Sequence, residues 1–134
     1  KQTGDPMITI TPIYAALLAF LLLILSARVI LYRRANRISV GDGDDRALTK
    51  RIRIQANCTE YAPIGLLLML LVELQGNAHF LIHALGLTLL AGRVIHAAAM
   101  SRTPQSYPGR TLGMVLTLLS IASAAAITLV AALL

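Results

Sequence analysis

A short segment of this chain carries a cation, an amide and a carboxylate at helical spacing. Arg53, Asn57 and Glu60 occupy positions i, i+4 and i+7, so in a helix they share one face over about 10 Å. Such a polar stripe suits a ligand that has both carboxylate and ammonium groups. The alternative is a structural role, in which Arg53 reaches the membrane interface and Glu60 pairs with a neighbouring helix. We favour the ligand site, because all three groups on one face are poorly suited to lipid.

Further basic residues flank or interrupt the apolar segments. Arg93 and His96 stand at i and i+3, hence on one face of a predicted helix. Arg110 opens the last apolar segment, and Arg33 and Arg34 close the first one. Positive loops beside a membrane explain most basic residues of the chain, but not Arg53 and Arg93, which lie within helical stretches. We expect these residues to converge with the polar stripe at one membrane boundary.

The histidines and the single cysteine favour neither a metal nor a haem. His79, His83 and His96 fall on one predicted helix, and about 13 residues separate the last two, so they cannot reach opposite faces of one haem. His79 and His83 have no carboxylate or thiol nearby except Glu73, which favours a polar pair at the membrane interface. Cys58 has no cysteine partner and is interpreted as a packing residue.

Four long apolar segments determine the expected fold class. Of the 134 residues, 57% are hydrophobic and 13% are charged, whereas soluble domains carry about 25% charged residues. A helix needs about 20 mostly apolar residues to cross a bilayer. Four segments meet this requirement, at residues 11–32, 53–74, 78–100 and 111–134. The sequence predicts an all-α integral membrane protein that forms a four-helix transmembrane bundle in the lipid bilayer.

The positions of the basic residues predict the orientation of the bundle. Six Lys or Arg residues oppose three Asp residues in the loop between the first two predicted helices, whereas the turn at 75–77 contains no Lys or Arg. By the positive-inside rule, the basic loops are cytoplasmic and both termini face outward. Aromatic residues are only 4% of the chain, so the net charge of +6 fits a membrane boundary better than a nucleic-acid surface. We expect a bacterial inner membrane protein with no nucleic-acid partner.

Two polar segments are assigned no function. Residues 1–6 precede Met7 and are interpreted as a remnant of an expression tag, which leaves 7–134 as a single four-helix domain. The Gly-rich segment 41–45 does not have the spacing of a calcium-binding loop, and no Glu closes it. We expect a solvated turn there.

The motifs resemble those of a known family of membrane proteins. The run R-x-Q-x-N-C-T-E-Y-x-P at residues 53–63 is similar to the start of the second helix in the MAPEG family, the membrane-associated proteins in eicosanoid and glutathione metabolism. The run R-R-A-N-R-I-S at 33–39 resembles the basic end of the first helix in leukotriene C4 synthase. The run R-V-I-H at 93–96, with Pro104 and Arg110 after it, resembles microsomal glutathione transferase. The resemblance covers nearly the whole chain and implies the same four-helix plan.

The resemblance implies a homotrimer that binds glutathione between neighbouring subunits, near the cytoplasmic face. Glutathione carries two carboxylates, an ammonium group and a thiol, so its site needs several guanidinium groups and an acid. By resemblance, Arg53 and Arg93 hold carboxylates and Glu60 holds the ammonium group. The other binding residues that the resemblance implies are Gln55, Asn57 and Tyr61, Arg33 or Arg34, and His96 at a position where the family commonly has a tyrosine.

Arg110 matches in position the arginine proposed to stabilise the glutathione thiolate in family members, so the resemblance implies a catalytic role for it. Only the thiolate attacks, a free thiol titrates near 8.5, and lowering a pKa by one takes about 1.4 kcal/mol. A guanidinium in a partly desolvated cleft supplies a stabilisation of that size. The implied activity is that of a transferase or peroxidase in detoxification. Glutathione is the co-substrate, no metal or haem takes part, and hydrophobic electrophiles arrive from the bilayer.

Two other functions are kept as hypotheses. The first is a non-catalytic glutathione- or lipid-binding membrane scaffold trimer, in which the arginines bind an acidic ligand or only join subunits. The second is a small multidrug transporter, which also has four short helices but requires an acidic residue deep in a helix as a proton relay. The first predicted helix has no such residue. Glu60 lies next to Arg53 and Asn57, which disfavours its use as a proton carrier.

Overall fold

The computed structural model describes residues 7–134, and within them the chain forms four α-helices and no strand. The helices are α1 (Thr11–Asn36), α2 (Arg46–Leu74), α3 (His79–Ser101) and α4 (Tyr107–Leu133). Each helix is long and apolar enough to cross a membrane. The predicted all-α integral membrane bundle is therefore confirmed. The interpretation of residues 1–6 as a tag remnant falls outside the described residues.

Several helix ends differ from those predicted from apolarity. α2 begins at Arg46 instead of residue 53, because Asp45 caps its basic first turn. α4 begins at residue 107 instead of 111, with Ser106 as its cap, and ends at 133 instead of 134. α1 continues to Asn36 instead of residue 32 and ends where Arg37 adopts a left-handed conformation. α3 begins and ends one residue later than predicted, at His79 and Ser101. The predicted bounds were wrong because charged residues continue a helix beyond its apolar part.

The turn before α2 is held by two aspartates. The Asp42 carboxylate accepts hydrogen bonds from the Thr49 hydroxyl and the Asp44 N–H. Asp45 Oδ1 accepts from the first N–H groups of α2, and its Oδ2 accepts from the Tyr32 hydroxyl at 2.9 Å. Hydrogen bonds from the Leu48 N–H and then from the Tyr32 hydroxyl lower the pKa of the Asp45 carboxyl below its ordinary value.

The cap on α2 is expected to depend on pH and on Asp45. Since the pKa of Asp45 is lower in the folded protein than in the unfolded chain, where it is about 3.9, the cap stabilises α2 fully above that value. Its contribution is lost as the pH falls through the folded value. We expect Asp45→Ala to speed amide hydrogen exchange in the first turn of α2 at neutral pH, measured by mass spectrometry. Asp44→Asn is the control and should exchange as the wild type does. If the first turn of α2 exchanged its amide hydrogens equally slowly in all three proteins, Asp45 would not stabilise this helix end.

Glu73 joins the end of α2 to the start of α1. Its Oε1 accepts from the N–H groups of Thr9 and Ile10 at 2.8 Å each, and its Oε2 accepts from the Thr11 N–H at 2.7 Å. The first N–H groups of a helix have no partner within that helix, and α1 has no side-chain cap of its own. Glu73, which is 6% exposed, therefore caps a helix that precedes it by about 60 residues.

The core of the bundle is aliphatic and consists of two clusters. The second of these clusters is the one nearer the basic loops. It includes Cys58, which is 4% exposed, so the thiol lies in a packed environment. The first cluster contains Ile10, Tyr14, Met69, Val72, Ile82, Leu85 and Ala124. The second contains Leu18, Leu25, Ile54, Cys58, Ala62, Leu89 and Ala97.

Glycines allow α3 and α4 to pack closely. A Cβ atom added at Gly92 would lie 2.6 Å from Thr117 Oγ1, and one added at Gly113 would lie 2.7 Å from the Gly92 carbonyl oxygen. Both distances are too short for a side chain, so the two backbones approach only because these positions are glycine. This approach brings Arg93 on α3 within hydrogen-bonding distance of α4.

Candidate functional site

The polar stripe of α2 lies on a face that the chain leaves partly uncovered. Arg53 Nη1 is 3.8 Å from Glu60 Oε1, and their side chains are 57% and 50% exposed. Within residues 7–134 this is the only ion pair closer than 4.0 Å. The pair shows that the two charged residues of the stripe share a face, as predicted. Because the apolar part of α2 follows directly, the pair lies at the membrane boundary.

Arg93 lies inside the bundle and is only 2% exposed. Its Nε donates to Thr117 Oγ1 at 2.8 Å, and its Nη1 donates to Asn57 Oδ1 at 2.5 Å. Its Nη2 contacts Met114 Sδ at 3.6 Å, and the guanidinium lies 5.4 Å from the centre of the Tyr61 ring. A buried cation requires such partners. Arg93 therefore connects α2, α3 and α4, and its contact with a ligand carboxylate stays a prediction.

Thr117 is a residue of this region that sequence reasoning missed. It is fully buried, accepts from Arg93 Nε and donates to the Gly113 carbonyl oxygen at 2.8 Å. The available signal was its place in a series of small residues, Gly109, Gly113 and Thr117, spaced four apart on one face. Such a series favours close contact with a neighbouring helix.

Replacing Thr117 by Val should destabilise the bundle, because valine has nearly the same shape but no acceptor for Arg93. A hydrogen bond to a charged group contributes about 2 kcal/mol, so we expect the free energy of unfolding to fall by about that amount. The free energy of unfolding is measured by titration with a denaturing detergent, and circular dichroism monitors the loss of helix. Thr117→Ser keeps the hydroxyl and should retain most of the stability. If the serine and valine variants were equally stable, the hydrogen bond would have no such role.

A cleft of about 380 Å³ lies between α2, α3 and the start of α4. His96, which is 6% exposed, and Arg110 line it together with Asn57. Arg110 Nη1 donates to Gln105 Oε1 at 2.6 Å, and its guanidinium lies 5.7 Å from the centre of the Tyr107 ring. Within the described residues, the other N–H groups of the Arg110 guanidinium have no hydrogen-bond acceptor. The remaining lining residues are Tyr107, Thr111 and Met114.

The first turn of α4 adds to the positive potential of this cleft. Ser106 Oγ accepts from the Gly109 N–H at 3.3 Å, and Pro108 lies in the first turn. The aligned peptide dipoles give the N-terminal end of a helix a partial positive charge, although in α4 the Gly109 N–H is used by its cap. The cleft therefore has a positive potential, which comes mainly from Arg110.

Within one chain, three of the residues predicted for the site line the cleft, namely Asn57, His96 and Arg110. The polar pair Arg53 and Glu60 does not line it, nor do Tyr61 and Arg93. The other three lie further away or have partners elsewhere. Gln55 Nε2 donates to Ser26 Oγ on α1 at 2.8 Å. Arg33 Nη1 donates to the Gly41 carbonyl oxygen at 2.6 Å, and Arg33 and Arg34 line a separate surface pocket at the end of α1. A contribution of these residues to the cleft therefore requires a second copy of the chain.

The histidine pair at the start of α3 includes a contact with α1. The Tyr14 hydroxyl lies 3.0 Å from His83 Nδ1, and the two rings meet edge to face at 5.9 Å. His79, like His83, is exposed. Over residues 7–134, no group of three His, Cys, Asp or Glu residues comes together as a metal site would require. His83 thus contacts a tyrosine near the end of the bundle.

Comparison with known proteins identifies the class of protein that this fold defines. The sequence profile of the MAPEG family matches residues 11–130, so the chain belongs to the MAPEG family, as its motifs predicted. Two similar relatives, from two strains of Escherichia coli, are each named inner membrane protein YecN. Each is 40% identical to this chain over 87 residues, which is 65% of this chain and 66% of the relative. The aligned part thus spans just under two thirds of the relatives' length.

Proposed function

We propose that this protein is a membrane glutathione transferase or glutathione peroxidase that acts on hydrophobic electrophiles. The observation that carries the proposal is the electropositive cleft in which Arg110 and the first turn of α4 meet His96 and Asn57. Glutathione has two carboxylates and a thiol that reacts as an anion, so an electropositive cleft suits it. Arg93, a buried cation with no carboxylate within 4.0 Å among residues 7–134, adds to the positive potential. Membership of the MAPEG family supports the same assignment.

Arg110 is the residue proposed to act on sulfur. Its guanidinium favours the thiolate over the thiol, so more of the bound glutathione is nucleophilic at neutral pH. In the transferase reaction the sulfur electron pair forms a bond to carbon, and the leaving group departs with the electrons of the bond that breaks. The cleft lies among apolar helices, which favours electrophiles that partition into the bilayer.

We further propose that copies of the chain form a homotrimer that completes the site. The Arg53–Glu60 pair is about half exposed at the membrane boundary, and charged groups that face lipid are costly. A neighbouring subunit would cover the pair and bring Gln55, Arg33 or Arg34 of its own to the cleft. Glu60 would then be placed for the ammonium group of glutathione. Native mass spectrometry of the detergent-solubilised protein tests this state directly.

The proposed orientation places the cleft at the cytoplasmic side of a bacterial inner membrane. Both basic connections, residues 37–45 and 102–106, lie at the same end of the bundle as Arg110, and the positive-inside rule assigns that end to the cytoplasm. The two relatives are named inner membrane proteins, which supports the choice of membrane. Both termini then face outward.

The scaffold alternative is favoured by one observation, the engagement of Arg93 with protein groups on three helices. In that case glutathione or a lipid binds without activation of sulfur. The transporter alternative is disfavoured, because both carboxylates within the helices already have partners. Glu60 pairs with Arg53, and Glu73 accepts from the start of α1.

Thiolate absorbance in the ultraviolet distinguishes these functions. Purified protein in detergent is titrated with glutathione at neutral pH, and conjugation of an aryl halide is then assayed. We expect saturable thiolate absorbance and measurable conjugation. Saturable binding without thiolate absorbance would support the scaffold, whereas the absence of binding would reject every glutathione-dependent function.

A further inference from the structure

A second basic pocket lies outside the cleft and has no part in the proposed reaction. It is bounded by α1, the first two turns of α2 and the end of α3, and its volume is about 320 Å³. Four cations line this basic pocket, and no acidic residue does. The cations are Arg28, Arg46, Lys50 and Arg51, and the other lining residues are Ala47, Ile54, Ser101 and Thr103.

The described part of the chain offsets only a small part of the positive charge of the basic pocket. Among residues 7–134, the only ion pair within 4.0 Å is the one on the polar stripe. The acid nearest in sequence is Asp45, which forms no ion pair within 4.0 Å, although its attraction to Arg51 offsets part of the charge of that residue. Both of its oxygens are engaged, one with the first N–H groups of α2 and one with the Tyr32 hydroxyl. Four cations gathered in one pocket repel each other, so an anion is the natural occupant.

Protein contacts hold three of these cations in place. The two arginines keep most of their donors free of protein acceptors, whereas Lys50 Nζ also donates to Thr103 Oγ1 at 3.2 Å and keeps one. Arg28 Nη1 donates to Ser101 Oγ at 2.9 Å, and Arg51 Nη1 donates to a backbone carbonyl within α2 at 3.1 Å. Lys50 Nζ donates to the Arg102 carbonyl oxygen at 2.5 Å. An arginine has five N–H donors and a lysine has three. The pocket therefore retains several oriented donors for the oxygens of a phosphate group.

Apolar surface continues from the basic pocket along α1. Phe20 and Ile24 precede Arg28 at helical spacing, on its bilayer side, and are 60% and 59% exposed. An acyl chain packs on such a surface, while its phosphate lies at the membrane boundary beside Arg28. A water-soluble phosphate compound would make no use of this apolar surface, so the arrangement favours a lipid.

We propose that the basic pocket binds the phosphate groups of an anionic phospholipid. Because four cations line it, a lipid with two phosphates binds more tightly than a lipid with one. The pocket is separate from the cleft in residues and position, so the proposal does not depend on glutathione chemistry.

Lipid binding to the purified protein tests the proposal. The detergent-solubilised chain is titrated with cardiolipin, phosphatidylglycerol or phosphatidylcholine, and bound lipid is counted by native mass spectrometry. We expect cardiolipin to bind most tightly and phosphatidylcholine most weakly. The variant Arg28→Gln/Lys50→Gln should bind cardiolipin about tenfold or more weakly. Equal affinity of the wild type for cardiolipin and phosphatidylcholine would overturn the proposal.

A matched pair of variants separates the pocket from net charge. Arg34→Gln/Arg37→Gln removes the same charge from exposed positions at the end of α1 and should leave cardiolipin binding nearly unchanged. An equal loss in both variants would mean that binding follows net charge alone, against the proposal. Arg46→Gln changes an exposed side chain that makes no hydrogen bond among the described residues. It should weaken binding severalfold even if the double variant does not fold.

Inorganic phosphate identifies the source of the anion. If millimolar phosphate leaves cardiolipin bound to the wild type, the pocket selects the lipid, as proposed. If phosphate displaces cardiolipin at that concentration, the pocket is a site for free phosphate, and the lipid assignment is wrong.

Discussion

Replacement of Arg110 by alanine is expected to lower the rate of glutathione conjugation at neutral pH by about 8- to 25-fold. The guanidinium lines the cleft and has N–H donors without an acceptor among the described residues. Without it, the thiol pKa of bound glutathione returns toward the free value of about 8.5. A rise of the thiol pKa from about 7.5 to about 8.5 lowers the thiolate fraction at pH 7 about 8-fold, and a rise from about 6.5 lowers it about 25-fold. The pH profile of the rate should move to higher pH in the variant.

Two further variants make this prediction specific. Arg110→Lys keeps the charge but not the planar guanidinium, so it should retain an intermediate activity. Arg102→Ala removes an exposed arginine at the end of α3 and should behave as the wild type. The measurement is conjugation of an aryl halide from pH 6 to 9, together with native mass spectrometry to verify assembly. If Arg110→Ala assembled normally and kept both its rate and its pH profile, Arg110 would not be the residue that activates sulfur.

Replacement of Glu73 by alanine is expected to lower the free energy of unfolding by about 3 kcal/mol. Its carboxylate accepts hydrogen bonds from the N–H groups of Thr9, Ile10 and Thr11. Hydrogen bonds to a charged group are among the stronger ones in proteins, and buried N–H groups left without a partner are costly. The loss stays below the sum of three such bonds because the start of α1 can fray toward solvent.

The control for Glu73 lies two residues further along the chain. The Gln75 amide donates to the Thr128 carbonyl oxygen on an exposed surface, so Gln75→Ala should change stability little. Glu73→Gln keeps one acceptor oxygen and should lose less stability than the alanine variant. Thermal unfolding in detergent, followed by circular dichroism, compares the three. A Glu73→Ala protein as stable as Gln75→Ala would show that α1 is held at its start by other contacts.

The helix ends show why apolarity alone misplaced the elements. The length of each apolar segment predicted where α1 to α4 cross the bilayer, and all four spans are present. The start of α2 was misplaced by seven residues because its basic first turns are not apolar, although Asp45 was available as a capping residue. For α2 and α4 a capping residue locates the start better than hydropathy does, whereas α1 and α3 have no side-chain cap and begin where hydropathy predicted or one residue later.

The candidate site was predictable in its residue types but not in its partners. The spacing of Arg53 and Glu60 correctly indicated one face. The spacing of Arg93 gave no sign that Asn57 and Thr117 would be its partners, nor that Gln55 would contact Ser26 on α1. These contacts join residues far apart in the sequence.

The sequence by itself determined the membrane class, the four spans and the family. Those properties follow from the transfer of each segment from water to lipid and from local motifs, which need no knowledge of the other helices. Only the tertiary structure decided that Glu73 caps α1, that Thr117 holds Arg93, and that His96 and Arg110 line one cleft. The physical reason is that helix rotation and crossing angle select the partners of each side chain. Both are set by packing across the whole bundle, here by the close approach of α3 and α4 at Gly92 and Gly113.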